Sequence, residues 1–197
     1  MSMSKPLLFV STNRHKLEEI KSMIPQAYSV KNLNDIGWDE EIPEPFDTFE
    51  ENAAAKVSYF FRSTHTPSFA EDSGLAIDAL GGRPGVFSAR YAGIHGNNQK
   101  NIEKVLEEMQ GVEMRSATFV SVIAFQTAEN NIQYFTGKVL GRITEKIMGS
   151  GGFGYDPIFI PDGFAESFGI LPVALKNRIS HRSKSIEKFL EFLQEIK

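Results

Sequence analysis

The spacing of apolar residues along the chain predicts strands that alternate with helices. Residues 7–10 form a short apolar run that is typical of a buried strand. Apolar residues then recur every three or four positions and predict a first helix, with Leu17, Ile20 and Ile24 on its buried face. The same spacing predicts a third helix around residues 102–109 and a closing helix over residues 183–196.

A second helix is predicted after residue 48, because two overlapping capping patterns precede an apolar stripe. Asp47 with Glu50 and Thr48 with Glu51 each match the capping box, in which a short polar side chain precedes an acid by three positions. The buried stripe of this helix is predicted to contain Phe49, Ala53, Val57 and Phe60.

Strand patterns occupy the middle of the chain. Residues 68–70 and 75–79 are predicted as two strands, with the acidic segment AEDSGL turning between them. Residues 117–125 and 132–139 predict a long hairpin joined across TAENN. Because a hairpin interrupts the alternation of strands and helices, we expect an α/β fold with a mixed sheet. No repeat or linker divides the chain, so a single domain over residues 1–197 is expected.

The amino-acid composition is sufficient for a hydrophobic core and excludes several kinds of binding and catalytic site. The chain of 197 residues is 41% hydrophobic and contains 16 Phe, which is enough for a packed core. A net charge of -4 is not typical of a protein that binds long nucleic acid. The lack of Cys excludes disulfides, thiol catalysis and zinc–thiolate sites. The apolar run in MSMSKPLLFV is too short for a signal peptide or a membrane span, so a soluble cytoplasmic protein without a membrane partner is expected.

The segment STNRHK, between the first strand and the first helix, is a candidate anion site. A helix N-terminus offers unpaired N–H groups and a partial positive charge, which suit a phosphate. The alternative is that its short polar residues simply cap the helix. The candidate phosphate-binding residues are Ser11, Thr12, Asn13, Arg14, His15 and Lys16.

Two carboxylates are candidates for metal binding. Glu44 lies between two prolines on a stiff segment, and Asp72 lies with Ser73 at the end of a predicted strand. Carboxylates bind Mg²⁺ together with water and phosphate oxygens, and Asp72 could also take a proton from an attacking water. Lys56 on the second helix could bind an anion. The alternatives are a solvated acidic loop, an Asp-Ser-Gly turn and a lysine that extends into water.

Two further segments have the composition of a nucleotide site. GSGGFGYDPIF combines glycines, which let the backbone approach a ligand, with aromatics that can stack on a base; the alternative is a turn at a hairpin end. LKNRISHRSK places basic residues at the start of the closing helix, where the helix dipole disfavours them, so a compensating anionic or carbonyl-rich group is expected. The alternative is a solvated basic face. The residues concerned are Phe153, Gly154, Tyr155, Asp156, Lys176, His181 and Arg182.

Taken together and in order, five motifs resemble those of the inosine/xanthosine triphosphate pyrophosphatase family. The motifs are SxNxxKxxE, TFEENAxxK, AEDSGLxxDALGGxPGVxSARYAG, GGFGYDPIF and KNxISHR. The resemblance runs from about residue 7 to the last helix. It departs from the bacterial pattern after Glu44, where Phe46 and Asp47 stand in place of Thr-Gly.

The resemblance implies a fold, a reaction and a set of roles. The fold would be an elongated mixed β-sheet flanked by helices, with two lobes and a deep active-site cleft between them. The enzyme would be a Mg²⁺-dependent homodimer that removes ITP, dITP and XTP from the nucleotide pool by hydrolysis to the nucleoside monophosphate and pyrophosphate. Asp72 would be the catalytic residue and, with Glu44, a metal ligand. The substrate contacts would include the STNRHK loop, Ser73, residues 153–156, Lys176, His181 and Arg182.

Base preference and two rival functions also follow from these residues. Donors on His181 and Arg182, aimed at a 6-oxo group, would favour hypoxanthine and xanthine over adenine. One rival is a pyrophosphatase of related fold that acts on modified pyrimidine nucleotides. The other is a catalytically silent nucleotide- or RNA-binding module, which would not need Asp72 and Glu44.

Overall fold

The structure is a computed structural model, and it describes residues 4–196. The strands in this range are β1 (Lys5–Phe9), β2 (Tyr28–Asn32), β3 (Ser68–Ile77), β4 (Ser116–Ala128), β5 (Asn131–Ile143) and β6 (Phe159–Pro161). The α-helices are α1 (Arg14–Met23), α2 (Phe49–Thr64), α3 (Asn98–Glu108), α4 (Val173–Ile179) and α5 (His181–Glu195).

The strands form one mixed sheet, which confirms the predicted α/β class with a sheet flanked by helices. Their order is β2-β1-β3-β4-β5-β6. Strand β1 pairs in parallel with both β2 and β3, with Leu7 opposite Val30 and Phe9 opposite Phe69. Strand β6 runs antiparallel to β5. Strands β4 and β5 are neighbours joined by two residues, so they form the predicted hairpin.

Strand β3 overturns the prediction that AEDSGL forms a turn. Residues 68–77 form one continuous strand of ten residues, so Asp72 lies in its middle and not at a strand end. In the sheet, β3 lies between β1 and β4, and its pairing with β1 is at Phe69, opposite Phe9. Incorporation into the sheet outweighs the local turn preference of Asp-Ser-Gly.

The predicted helices form where apolar spacing and a capping side chain agree. Asn13, Thr48 and Asn97 cap α1, α2 and α3 by accepting hydrogen bonds from backbone N–H groups of the first turn. Among the strands and α-helices of residues 4–196, three were not predicted: β2, β6 and α4 have five, three and seven residues. Elements this short do not repeat a hydrophobic period often enough to stand out from loops.

The chain divides into two compact units, each with its own apolar core. The first unit contains the residues up to Asp72, residues 121–137 and the residues from Arg182 onward; the second contains Ser73–Val120 and Lys138–His181. The first core includes Phe9, Phe69 and Phe189, and the second includes Phe119, Phe159 and Phe168. The expected single domain stays a prediction. Among the described residues, no helix has the length and hydropathy that a membrane span requires.

Candidate functional site

Asp72 is a buried carboxylate of the first unit with one unsatisfied oxygen. Its side chain is 9% exposed, and its Oδ1 atom lies 3.5 Å from Nζ of Lys56. Its Oδ2 atom is buried and has no hydrogen-bond partner among residues 4–196. Buried acceptors normally have partners, so this exception requires an explanation, and a water, an ion or a catalytic role would each supply one.

The surroundings of Asp72 make it a stronger base than an ordinary aspartate. Burial raises the pKa of Asp72, while the nearby ammonium groups of Lys56 and Lys16 lower it. Glu44 and Glu71 add negative charge that raises the same pKa, and the net direction is upward. A carboxylate with a raised pKa accepts a proton from water more readily.

Lys56, on α2, links the two predicted metal ligands. Its ammonium contacts Oε1 of Glu44 at 2.6 Å, the main-chain oxygen of Glu71 at 2.9 Å and Oδ1 of Asp72 at 3.5 Å. Burial lowers the pKa of Lys56, but Asp72, Glu44 and Glu71 outweigh burial and hold this pKa above its ordinary value. Lys56 therefore stays charged and holds both carboxylates close to one point.

The segment that carries Glu44 is fixed to α2 by a buried amide. The side chain of Asn52 accepts a hydrogen bond from the backbone N–H of Phe46 and donates one to the carbonyl oxygen of Phe46, both at 3.0 Å. The Glu44 side chain keeps 31% of its surface exposed. Glu44 thus presents a half-exposed carboxylate from an anchored loop.

The Glu44 and Asp72 pair fits a hard divalent cation such as Mg²⁺. Both are oxygen ligands, and Oδ2 of Asp72 is an unused acceptor within the described residues. No group of three or more His, Asp or Glu side chains suited to a metal occurs in residues 4–196. Two carboxylates suffice for Mg²⁺, which usually keeps several waters and binds substrate phosphates.

The STNRHK loop places its polar residues in a local capping network. The Ser11 hydroxyl accepts a hydrogen bond from the backbone N–H of Asn13 at 3.1 Å. The Asn13 side chain accepts one from the backbone N–H of Lys16, also at 3.1 Å. Thr12, Arg14 and His15 are exposed. Capping therefore accounts for the side chains of Ser11 and Asn13 in this structure, and their contact with a phosphate stays a prediction.

An acidic residue that the sequence reasoning missed organises the basic groups of the first unit. Glu71 lies 3.2 Å from Nζ of Lys16 and accepts a hydrogen bond from Nε of Arg182 at 2.9 Å. Arg182 also donates to Glu19. The only sequence signal for Glu71 was its position next to Asp72 in a largely apolar run. Because Arg182 is 1% exposed and bound to these acids, its contact with a purine base stays a prediction.

In the second unit, Asp156 holds the glycine-rich loop together. Its Oδ2 atom accepts hydrogen bonds from the backbone N–H of Phe153 at 2.8 Å and from Nζ of Lys176 at 2.5 Å. The same ammonium lies 5.0 Å from the Phe153 ring centroid. Gly152 has a φ of 69°, and a Cβ atom there would lie 2.0 Å from Asp156 Oδ2. The loop therefore requires glycine and keeps Phe153 in a defined position.

Two more predicted base-side residues of this unit are buried by their own neighbours. The Tyr155 hydroxyl donates to the carbonyl oxygen of Ser88 at 2.9 Å, and burial raises the pKa of Tyr155. The His181 ring stacks on Phe119, with centroids 4.7 Å apart and planes at 9°. Ser73 is half-buried in β3 and Gly154 is half-buried in the loop.

The anionic partners expected for the basic segment are present, although the segment folds differently from the prediction. Lys176 belongs to the separate helix α4, where Asp156 neutralises it. Arg182 lies in the first turn of α5, where Glu71 and Glu19 neutralise it. Lys176 and Arg182 are thus compensated by acids from distant parts of the sequence.

The predicted site residues therefore form two groups, one in each unit. The first unit brings Asp72, Glu44, Lys56 and Lys16 into one charged group, because both lysines act on the Asp72 carboxylate. The second unit holds the aromatic and basic residues Phe153, Tyr155, Asp156, Lys176 and His181.

Comparisons with known proteins give one family. A sequence model described as the Ham1 family matches residues 7–192. A protein of Flavobacterium johnsoniae named dITP/XTP pyrophosphatase is 42% identical over 191 residues, which cover 97% of this chain and 99% of the relative. A protein of Bacillus subtilis with the same name is 42% identical over 197 residues, which cover 98% and 100%.

Solved structures give the same result. The Ham1 protein of Staphylococcus aureus superimposes with a TM-score of 0.89 at 35% identity, covering 98% of this chain and 100% of that chain. A protein of Mycobacterium abscessus described as nucleoside-triphosphatase / dITP/XTP pyrophosphatase has a TM-score of 0.78 at 36% identity, covering 94% and 98%.

Proposed function

Because the chain belongs to the Ham1 family, we propose that it hydrolyses non-standard purine nucleoside triphosphates such as dITP, ITP and XTP. The products would be the nucleoside monophosphate and pyrophosphate, so the chain acts as a hydrolase of acid anhydrides. Relatives named dITP/XTP pyrophosphatase support this substrate class, since their similarity extends over nearly the whole of both chains. Removal of such nucleotides from the precursor pool is a task for the cytoplasm, where we place the enzyme.

The observation that carries the mechanism is the unpaired, buried oxygen of Asp72. Its Oδ2 atom lacks a partner among the described residues, and burial raises the pKa of the group. We assign Asp72 as the residue that accepts a proton from the attacking water. The Lys56 ammonium lies 3.5 Å from Oδ1 of Asp72 and balances the negative charge of the carboxylate before it accepts the proton.

Two lysines and a helix terminus would hold the triphosphate, which carries about four negative charges. Lys16 is in the first turn of α1 and keeps 15% of its side chain exposed. Lys56 adds a second fixed charge beside Asp72. Exposed N–H groups at the start of α1 would supply further donors for phosphate oxygens. The protein mainly positions the reactants and neutralises charge.

Glu44 and Asp72 are the residues that would hold Mg²⁺. Bound there, Mg²⁺ would supply positive charge against the triphosphate oxygens. The ammonium of Lys56 contacts both carboxylates, at 2.6 Å from Glu44 and 3.5 Å from Asp72.

Base selection is assigned to the second unit. Phe153 offers an aromatic face on a loop that Asp156 and Lys176 hold in place, and His181 is fixed by Phe119. Of the two predicted donors, His181 belongs to this unit; it would pair with the 6-oxo group of hypoxanthine or xanthine, and adenine would leave it unpaired. A homodimer is also proposed, by analogy with the family that the motifs resemble.

A substrate panel tests the proposed function. Pyrophosphate release would be measured with dITP, ITP, XTP, GTP and ATP, with Mg²⁺ and with a chelator. We expect dITP, ITP and XTP to be hydrolysed only when Mg²⁺ is present. We expect ATP to be hydrolysed much more slowly. Asp72→Asn should lower kcat at least about 100-fold, whereas Asp39→Asn, the same change at an exposed acid, should not. Binding without pyrophosphate release would instead indicate a silent nucleotide-binding module.

A further inference from the structure

Glu71 is a fully buried carboxylate beside Asp72 to which the proposed reaction gives no role. Its side chain is 0% exposed. Burial of a carboxylate is unfavourable unless cations and donors surround it. Here Lys16 lies 3.2 Å from Oε2, Nε of Arg182 donates to Oε1 at 2.9 Å, and the Ser121 hydroxyl donates to Oε1 at 2.7 Å.

These contacts extend into a chain of alternating charges. In order, its members are Lys16, Glu71, Arg182 and Glu19. The inner two side chains are 0% and 1% exposed, whereas each end is 15% exposed. Burial lowers the pKa of Arg182, but Glu71 and Glu19 outweigh burial and hold this pKa above its ordinary value. The inner pair therefore stays charged, and Lys16 is the partly exposed basic end of the chain of charges.

Lys16 is held at both ends by this arrangement. Its backbone N–H donates to the capping side chain of Asn13 at 3.1 Å, and its ammonium contacts Glu71. A lysine side chain has a flexible four-carbon stem, so an ammonium without a partner samples many positions. Fixing that stem before the substrate arrives removes an ordering cost from binding.

We propose that Glu71 is a positioning residue that holds the Lys16 ammonium where it meets a substrate phosphate. The inference rests on the proposed function, because it places Lys16 on the triphosphate. Glu71 and Asp72 are neighbours on β3, and their carboxylates contact different ammonium groups: Glu71 contacts Lys16, and Asp72 contacts Lys56. Asp72 faces Lys56 and the chemistry, and Glu71 orients the phosphate-binding lysine.

A double-mutant cycle tests whether Glu71 acts through Lys16. Glu71→Gln keeps the shape and can still accept from Ser121 and Arg182, but it removes the charge that holds Lys16. We expect the KM for ITP to rise about tenfold with a smaller fall in kcat. In a Lys16→Met background, the same change should leave KM unaltered, because the group that Glu71 positions is gone.

A second readout keeps this test separate from the proposed function. Calorimetry with inorganic tripolyphosphate, without metal, should show the same pattern in Kd across the four proteins. If the wild type released no pyrophosphate, the proposed function would fail while the tripolyphosphate cycle still decided the role of Glu71. Equal effects of Glu71→Gln in both backgrounds, or none in either, would overturn the inference.

A matched control separates positioning from folding. Ser121→Ala removes a hydrogen bond to the same carboxylate but leaves its charge and its contact with Lys16. This variant should have a lower Tm with KM within about twofold of the wild type. If Glu71→Gln does not fold, Glu71→Asp enters the same cycle, since the shorter side chain keeps the charge but draws the carboxylate away from Lys16.

Discussion

Asp72 shows how a single residue can be placed for reactivity at the expense of stability. Its carboxylate is buried, and one of its oxygens lacks a partner among residues 4–196. A natural protein usually satisfies such an atom. The two nearby lysines reduce the unfavourable effect without removing it, since the pKa of Asp72 still lies above its ordinary value.

Replacement of Asp72 should therefore stabilise the metal-free protein, because Glu44 and the main-chain oxygen of Glu71 still hold the Lys56 ammonium. Because the folded pKa is raised above 3.8, the ionised form destabilises the fold at pH 7, and this penalty is lost as pH falls through the folded pKa. We expect Asp72→Asn to have a higher Tm than the wild type at pH 7, with the difference shrinking towards pH 4. Calorimetry in chelator-treated buffer at pH 7 and at lower pH measures this difference in Tm. A lower Tm for Asp72→Asn at pH 7 would contradict the expectation.

Gly152 occupies a second position where the structure restricts the residue type, because only glycine fits there. Its φ of 69° is unfavourable for side chains, and a Cβ atom would overlap Asp156. We expect Gly152→Ala to lower the free energy of unfolding by about 1–3 kcal/mol and to raise KM for ITP, since the Phe153 loop depends on Asp156. Gly154→Ala is the matched control for backbone strain alone: its φ is 60° and nothing lies within 4 Å of its Cβ position. Equal effects of both changes would exclude the overlap as the cause.

At the scale of elements, the loop that carries the candidate metal ligand Glu44 is held by helix α2, whose N-terminus is capped by Thr48. Thr48 caps the helix by accepting from the backbone N–H of Glu51 at 3.1 Å. The helix carries Asn52, which anchors the backbone of Phe46, and Lys56, which contacts Glu44. The start of one helix therefore orders a loop that contributes to the candidate site.

Loss of the α2 cap should reduce stability more than catalysis. Thr48→Ala is expected to lower the free energy of unfolding by about 1 kcal/mol, because a backbone N–H loses its acceptor. Urea titration measures the change, and Thr48→Ser should restore most of it. A fall in kcat without any loss of stability would show that the cap acts on the site directly.

At the scale of the whole molecule, metal binding should couple to folding. Glu44 and Asp72 come together only when the β1–β3 sheet and α2 have formed, so a cation that binds both stabilises the folded state. We expect excess Mg²⁺ to raise the Tm of the wild type by ~2–4 °C for each kcal/mol of linkage. Asp72→Asn should lose most of this shift, and Asp39→Asn should retain it. Equal shifts in all three proteins would indicate a general salt effect.

The sequence by itself determined the features that depend on nearby residues. Helices α1, α2, α3 and α5 follow from apolar spacing, and the β4–β5 hairpin follows from two long apolar runs with a short polar connection. The order of the motifs was sufficient to indicate the family, and the comparisons confirmed it.

Only the tertiary structure decided the course of β3 and the partners of the buried charges. The turn preference of Asp-Ser-Gly is local, and it was overridden when residues 68–77 joined the sheet as one strand. Glu71 and Arg182 lie 111 positions apart, so no local pattern could pair them. The spacing of apolar residues along the chain predicts which residues share one face of a helix or strand. The energy of a buried carboxylate depends on which cations the fold brings to it, and that is decided when the chain packs.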